Sequence, residues 1–368
     1  MQTNKHFRRL RRGAALVALL CAGCQSEPPL PPPQPITILQ EPAPPTATRT
    51  NLPPQPPPPP WKNLVNPTAQ AHLIEGDLRV FMPANPAHLD SGLFGTVRTG
   101  AKGQSRFHEG VDIAPLQRVR GEPTDEVRAV APGVVGYVNN IAGNSNYGKY
   151  VVVLHNDPLG AVYTLYAHLA STVVRPGQAV QPGTPLGVMG HTSSSAIPRE
   201  RAHVHFEVGL LNNERFALWY RAQKLKPDHG NFHGQNLTGV DPIAFLRWQH
   251  AHPEGGFQDF LATQPAAFAV VVTPAHALDF FRRYPALWEG AAWRAGAPVV
   301  LQCTENGLPL KGRLATDAER NVVARSKYGV TGLNAAALGR NGSHLIAPVR
   351  SGWTLTSTGD RWLAALLY

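Results

Sequence analysis

From about residue 79 the apolar positions fall in short runs broken by Gly, Pro and Asn. RVFMPA, EVRAVA, GVVGYV, KYVVVLH, VYTLYAHL, TPLGVMG and HVHFEVGLL are rich in β-branched and aromatic residues and bounded by turn formers. Such runs predict strands, and no helical period interrupts them between residues 75 and 210. The expectation is an antiparallel, mainly β domain over 61–250. VRAVAPGVVGYV and VVRPGQAVQPGTPLGVMG set Gly and Pro between pairs of Val, as compact barrel-sandwich domains do. ALWYRAQKL predicts a short helix inside an insertion, and DPIAFLRWQH a helix that closes the domain. After residue 250 the pattern becomes mixed. AHALDFFRRYPALW reads as a helix with Leu and Phe on one face, while VVLQC, LKGRLAT and GWTLTSTGDRWLAALL read as strands. Residues 251–368 therefore read as a second, smaller α+β domain, and no motif in it carries chemistry.

The N-terminal residues change the picture of location. Lys5, Arg8, Arg9, Arg11 and Arg12 precede the apolar run GAALVALLCAG. This is a signal-peptide pattern, too short to span a bilayer stably. The run ends in CAGC before Gln25, which resembles a bacterial lipobox with Cys24 as the lipidated residue. Cys21 departs from the usual Leu. An ordinary cleaved signal is the alternative, and the residues around RRLRR do not support a twin-arginine signal. Residues 1–23 are then a lipoprotein signal and 24–60 a lipidated Cys followed by a Pro-rich tether. At ~3.1 Å per residue, the proline-rich stretch 28–60 reaches about 100 Å. Gln25 is not the Asp that retains lipoproteins at an inner membrane. The expected address is the periplasm, with a lipid anchor in the outer membrane.

Charge and cysteine count narrow the classes. The net charge of +10 falls to +5 once residues 1–23, with five cations and no acid, leave. Such a surface suits an anionic polymer, but charge alone names no partner, and no nucleic acid is expected. With Cys21 and Cys24 spent, only Cys303 remains, so no intrachain disulfide is expected and the fold must rest on a core. Cys303, in PVVLQC, reads as a buried strand residue.

Candidate chemistry begins at FHEGVDIA. HEGVD is one residue away from the helical zinc motif H-E-x-x-H, but Gly110, Val111, Ile113 and Pro115 disfavour a helix. A straight strand would hold His108 and Asp112 about 13 Å apart. Gly110 permits a bend that lets both reach one metal. In HVHFEV, alternation puts His203, His205 and Glu207 on one face and Val204, Phe206 and Val208 on the other. His168 ends the run VYTLYAHL. Each of these signals alone fits ordinary structural residues.

Together, FHEGVDIA, LYAHL and AHVHFEV occur in the order found in the lysostaphin-type (LytM-like) zinc metallopeptidases. APGVVGYV, YGKYVVVLH, VRPGQAVQPGTPLGVMG and GVDPIAFL also resemble that family's connecting text, so the resemblance covers roughly residues 79–246. It implies one zinc held by His108, Asp112 and His205, with His168 and His203 as unliganded catalytic histidines. It further implies a zinc endopeptidase acting on peptidoglycan peptides. A non-catalytic, amidase-activating regulator on the same fold is the alternative. A lipoyl- or biotinyl-type carrier would need a lysine at a hairpin tip, which VMGHTSSS lacks, and no G-x-S-x-G favours a serine hydrolase. Two features depart from the family. Pro198, Arg199, Glu200 and Arg201 put charge at the groove rim, and residues 212–236 form a longer insertion. Within it His229 and His233 have the spacing of a metal pair, but their Gly/Asn context reads as a flexible loop or lid. Glu109 is expected at the surface. Glu207 is expected either to orient a His or to form a surface salt bridge.

Overall fold

The computed structural model describes residues 61–99, 105–324 and 326–368. The signal, Cys24 and the Pro-rich tether lie outside the described residues. Among the described residues no helix is long and apolar enough to cross a membrane.

The fold is mainly β. Its central sheet has seven strands. Ala179–Val180, Gly133–Asn139, Lys149–Asp157, Gly160–Leu169, Val204–Leu211 and Leu237–Val240 follow one another in spatial order, and Val111–Ile113 pairs with Val204–Leu211 beside the last of these. All its pairings are antiparallel. A smaller sheet of Ser171–Thr172, Pro185–Val188 and Glu126–Arg128 lies off it. The β-branched runs seen in the sequence form these strands because each has a core to face. Val204, Phe206, Val208 and Leu210 enter the main apolar core, and all four are fully buried. The opposite face of the sheet carries Tyr150, Tyr163, Leu165 and Ala167, covered in turn by Tyr137 and Tyr147. Both faces are therefore filled, and the sheet is a rigid support for what sits at its end.

RVFMPA does not form a strand. Asp77 accepts a hydrogen bond from the Arg79 amide and nucleates a single 3-10 turn, Leu78–Val80, after which Phe81 makes one isolated bridge to Ile113. The closing helix forms as expected over Pro242–Ala251, with Asp241 accepting from the amides of Ile243 and Ala244 and Pro at its first turn.

C-terminal to this lies a five-stranded sheet, in the order Trp288–Glu289, Pro309–Leu314, Val299–Cys303, Phe268–Val272, Tyr328–Thr331. Cys303 is buried in it and unpaired, and burial pushes its thiol well above the usual range. Two sequence expectations differ here. AHALDFFRRYPALW is α-helical only over Asp279–Arg283, because Pro285 disfavours helical backbone at Tyr284, and a 3-10 turn, Pro285–Leu287, follows the break. GWTLTSTGDRWLAALL is a strand only over Gly352–Leu355. Thr356 then accepts from the amides of Thr358 and Gly359 and starts the helix Ser357–Leu367.

The insertion is built rather than loose. Phe216–Ala222 is a helix whose Phe216, Trp219 and Tyr220 pack on Ala365 of the last helix, and the Asn213 amide donates to the Ala365 carbonyl at 2.9 Å. Two short 3-10 turns, Gly230–Phe232 and Gly234–Asn236, complete it.

Candidate metal centre

Three segments distant in sequence meet at one end of the central sheet. Val111–Ile113 pairs with Val204–Leu211 so that Asp112 lies directly opposite His205. On the other side of the same strand His205 faces Ala167, which puts His168 at the next position. His203 is bridged to Gly190 just before the strand begins. His108 reaches the cluster because the chain turns at Gly110. A Cβ at Gly110 would lie 2.4 Å from the Phe206 carbonyl oxygen and 2.9 Å from Cε1 of His205. Glycine is required there by this close approach as much as by the bend.

One donor atom from each of His108, Asp112 and His205 lies within 4.8 Å of the other two, and all three residues are buried. Nε2 of His108 is 3.0 Å from Oδ1 of Asp112 and 3.1 Å from Nδ1 of His205, and the latter is 2.9 Å from the same Oδ1. The outer nitrogen of each ring is held by a hydrogen-bond partner. His108 Nδ1 is 2.8 Å from the Leu93 carbonyl, and His205 Nε2 is 2.8 Å from Glu207 Oε1. Donating outward fixes the tautomer and turns the other lone pair inward, as ligating imidazoles require. Glu207 is fully buried and also accepts from the phenols of Tyr147 at 2.6 Å and Tyr163 at 3.0 Å. It is not a surface ion pair.

His203 and His168 stand beside this set. Nε2 of His203 is 3.5 Å from Oδ1 of Asp112, and its Nδ1 donates to the Arg201 carbonyl at 2.7 Å. The ring of His168 lies 4.7 Å from that of His203 and 6.0 Å from that of His205. Its Nδ1 donates to the Thr192 carbonyl at 2.8 Å, and its backbone sits at φ 60°, a strained conformation for a residue with a side chain. All five residues singled out in the sequence thus converge.

The electrostatics suit a cation. Burial lowers the basicity of His108, His203 and His168, the last well below its ordinary value with help from the neighbouring rings. Burial opposes ionisation of Asp112, but His108, His203 and His205 outweigh it and hold the carboxyl well below the usual range. Arg98 Nη2 donates to the second oxygen, Asp112 Oδ2, at 2.6 Å. Asp112 thus meets the Arg98 guanidinium, while Glu207 meets His205. Burial opposes protonation of His205, but its hydrogen bonds to Asp112 and Glu207 push it up to about 9, so a cation at this point would displace a proton from its inner nitrogen. One carboxylate oxygen and two imidazole nitrogens then form a donor set that fits a divalent ion. Arg98 and Tyr147 were not singled out by the sequence reading. Neither sits in a ligand motif, and only pairing across the fold brings them to the cluster. His229 and His233 do not form a second centre. His229 binds the Tyr137 hydroxyl with one nitrogen and the Asn144 carbonyl with the other. Glu109 is exposed, as expected.

Residues 106–216 match the model of Peptidase family M23. This segment is thus similar to the domains of that family. A protein of Haemophilus influenzae named "Uncharacterized metalloprotease" is 33% identical over 135 residues, which cover 36% of this chain and 23% of that protein. The "Murein hydrolase activator NlpD" of Escherichia coli is 29% identical over 117 residues, 32% of this chain and 27% of that protein. Among solved structures, the catalytic domain of lysostaphin from Staphylococcus simulans superposes with a TM-score of 0.29 at 21% identity, covering 42% of this chain and 89% of that one. The chain thus spans about a quarter of the length of these two curated relatives.

Proposed function

We propose that the chain is a zinc-dependent endopeptidase that hydrolyses peptide bonds, in cross-links or stems, of peptidoglycan. The observation that carries this reading is the convergence of His108, Asp112 and His205, each with its free donor atom turned to one point and its outer side tied down. Those three would hold one zinc. When bound, zinc supplies a Lewis acid and a water of lowered pKa. The chain's own part is to place two further neutral imidazoles beside that point. His203, fixed through Nδ1 to Arg201, presents Nε2 as a proton acceptor, and His168, fixed through Nδ1 to Thr192, presents its other nitrogen. One serves as general base, and the other stabilises the oxyanion or protonates the leaving amine. Arg98 and Glu207 keep Asp112 and His205 in register.

A non-catalytic regulator is the second reading, favoured by the similarity to proteins named as murein hydrolase activators. Retention of every ligand and both further histidines favours the enzyme. Digestion of purified sacculi with the full chain, followed by mass spectrometry of the fragments, separates the two. Released peptides with a new terminus support the peptidase, and intact sacculi with a zinc-loaded protein refute it. The signal pattern supports a periplasmic domain held at the outer membrane through lipid on Cys24, and Cys24→Ser is then expected to leave the protein soluble after cell disruption.

A further inference from the structure

A cavity of about 770 Å³ lies beside the groove of about 370 Å³ that holds the histidines. Arg106, Phe107 and Glu109 line both, so the two spaces share one wall. The far side of the larger cavity is made by Asn306, Ser343, Thr358 and Arg361, all from the C-terminal part and all outside the family-matched segment 106–216. The insertion supplies Trp219 and Gln235 to the same space, and the strand Leu237–Val240 adds Thr238. The two features that set this chain apart from its family match, insertion and C-terminal unit, thus meet over one cavity next to the reactive groove.

We propose that this cavity is a second cleft for the same substrate chain that enters the groove, and that it recognises an acidic stretch of that peptide through Arg361 and Arg106. The proposal rests on the peptidase reading above. Charge is the main argument. Arg106 and Arg361 are both exposed, and neither guanidinium makes a hydrogen bond or ion pair among the described residues. Glu109 is the one carboxylate on the cavity wall. At the other end of the path, Arg201 lines the groove with its Nε buried and without a hydrogen-bond partner. Guanidinium groups pair with carboxylates in a forked geometry that free peptide carboxylates satisfy. The remaining wall is hydroxyl and amide, which suits a peptide backbone. A glycan strand is disfavoured, because sugar rings pack on open aromatic faces and both tryptophans here are buried. Trp219 is 6% and Trp362 9% exposed, and the Trp362 indole is committed to the Gly307 carbonyl.

The test is fluorescence anisotropy with the full chain. The probes are a labelled peptide alternating Glu and Ala, its Gln–Ala counterpart, and a chitin oligosaccharide. The acidic peptide is expected to bind best. Arg361→Gln, an exposed change far from the histidines in sequence, is expected to weaken it about threefold, and Arg361→Lys to restore most of the loss. The Gln–Ala peptide is expected to be insensitive to either variant. Equal binding of the acidic peptide by parent and Arg361→Gln overturns the proposal, as does tighter binding of the oligosaccharide. Failure of the peptidase reading looks different: sacculi stay intact while Arg361-dependent peptide binding persists. Cleavage with no dependence on Arg361 removes the cleft alone.

Discussion

Glu207 offers the sharpest test of how the centre is held. It has no exposure to solvent and accepts three hydrogen bonds, from His205 Nε2, Tyr147 and Tyr163. Glu207→Ala removes the acceptor and leaves an imidazole N–H and two phenols buried without partners. Each orphaned group costs ~1–3 kcal/mol, so the loss in stability is expected to be about 3 kcal/mol or more. The same change frees the His205 ring to rotate, and losing such a partner lowers metal affinity about 10- to 100-fold. Glu207→Gln keeps the shape and an acceptor for His205 while removing the charge. Its stability loss is expected to be smaller, with zinc affinity reduced about tenfold. Competition with a zinc-chelating dye reads the affinity, and urea unfolding reads the stability. The reasoning fails if Glu207→Ala binds zinc as tightly as the parent and unfolds at the same urea concentration.

Three more outcomes follow from other sites. Gly110→Ala drives a methyl into the Phe206 carbonyl and His205, so it is expected to cost ~1–3 kcal/mol and to abolish stoichiometric zinc, measured by elemental analysis. His203→Ala is expected to retain about one zinc per chain, since His108, Asp112 and His205 are untouched, and to lose sacculus cleavage. Retained cleavage would remove its role. His155 is buried between the Pro132 carbonyl and Thr164, and burial pushes its pKa down to about 4. A folded pKa below the unfolded value means that its stabilising effect is whole above pH 6.5 and is lost as pH falls toward 4. The size is about 3 kcal/mol at most. Urea midpoints at pH 7 and pH 5 should therefore differ more for the parent than for His155→Gln, and equal differences would refute the assignment.

The strands and the five central residues were legible because local pattern and local geometry agree there. Val204, Phe206 and Val208 alternate with His203, His205 and Glu207, so one run announces both a core face and a donor face. Gly110 was legible as a bend, but its contact with Phe206 was not, since that depends on strand pairing. Tyr147 and Arg98 escaped for the same reason. The C-terminal helix escaped because the run GWTLTSTGDRWLAALL reads as β up to Thr356. Only the Thr356 cap, followed by Trp362, Leu363 and Leu366 on one face, marks the change. The insertion read as loose because its Gly and Asn residues are local turn signals. Its order comes from Trp219 and Tyr220 finding Ala365 far along the chain.

Trp61, the first described residue after the proline run, is 4% exposed, and its indole donates to Asp157 at 2.7 Å. Asp157 also receives the amides of Leu159 and Phe257, so it pins the start of the domain to the hairpin that leads into Gly160–Leu169. His168 sits near the opposite end of that strand, about 27 Å away at the usual rise per residue. A pull on the leading chain would be taken up at the hairpin, a full strand length from the histidines. Tension on the chain ahead of Trp61 would thus be borne away from the cage of donors, which stays closed.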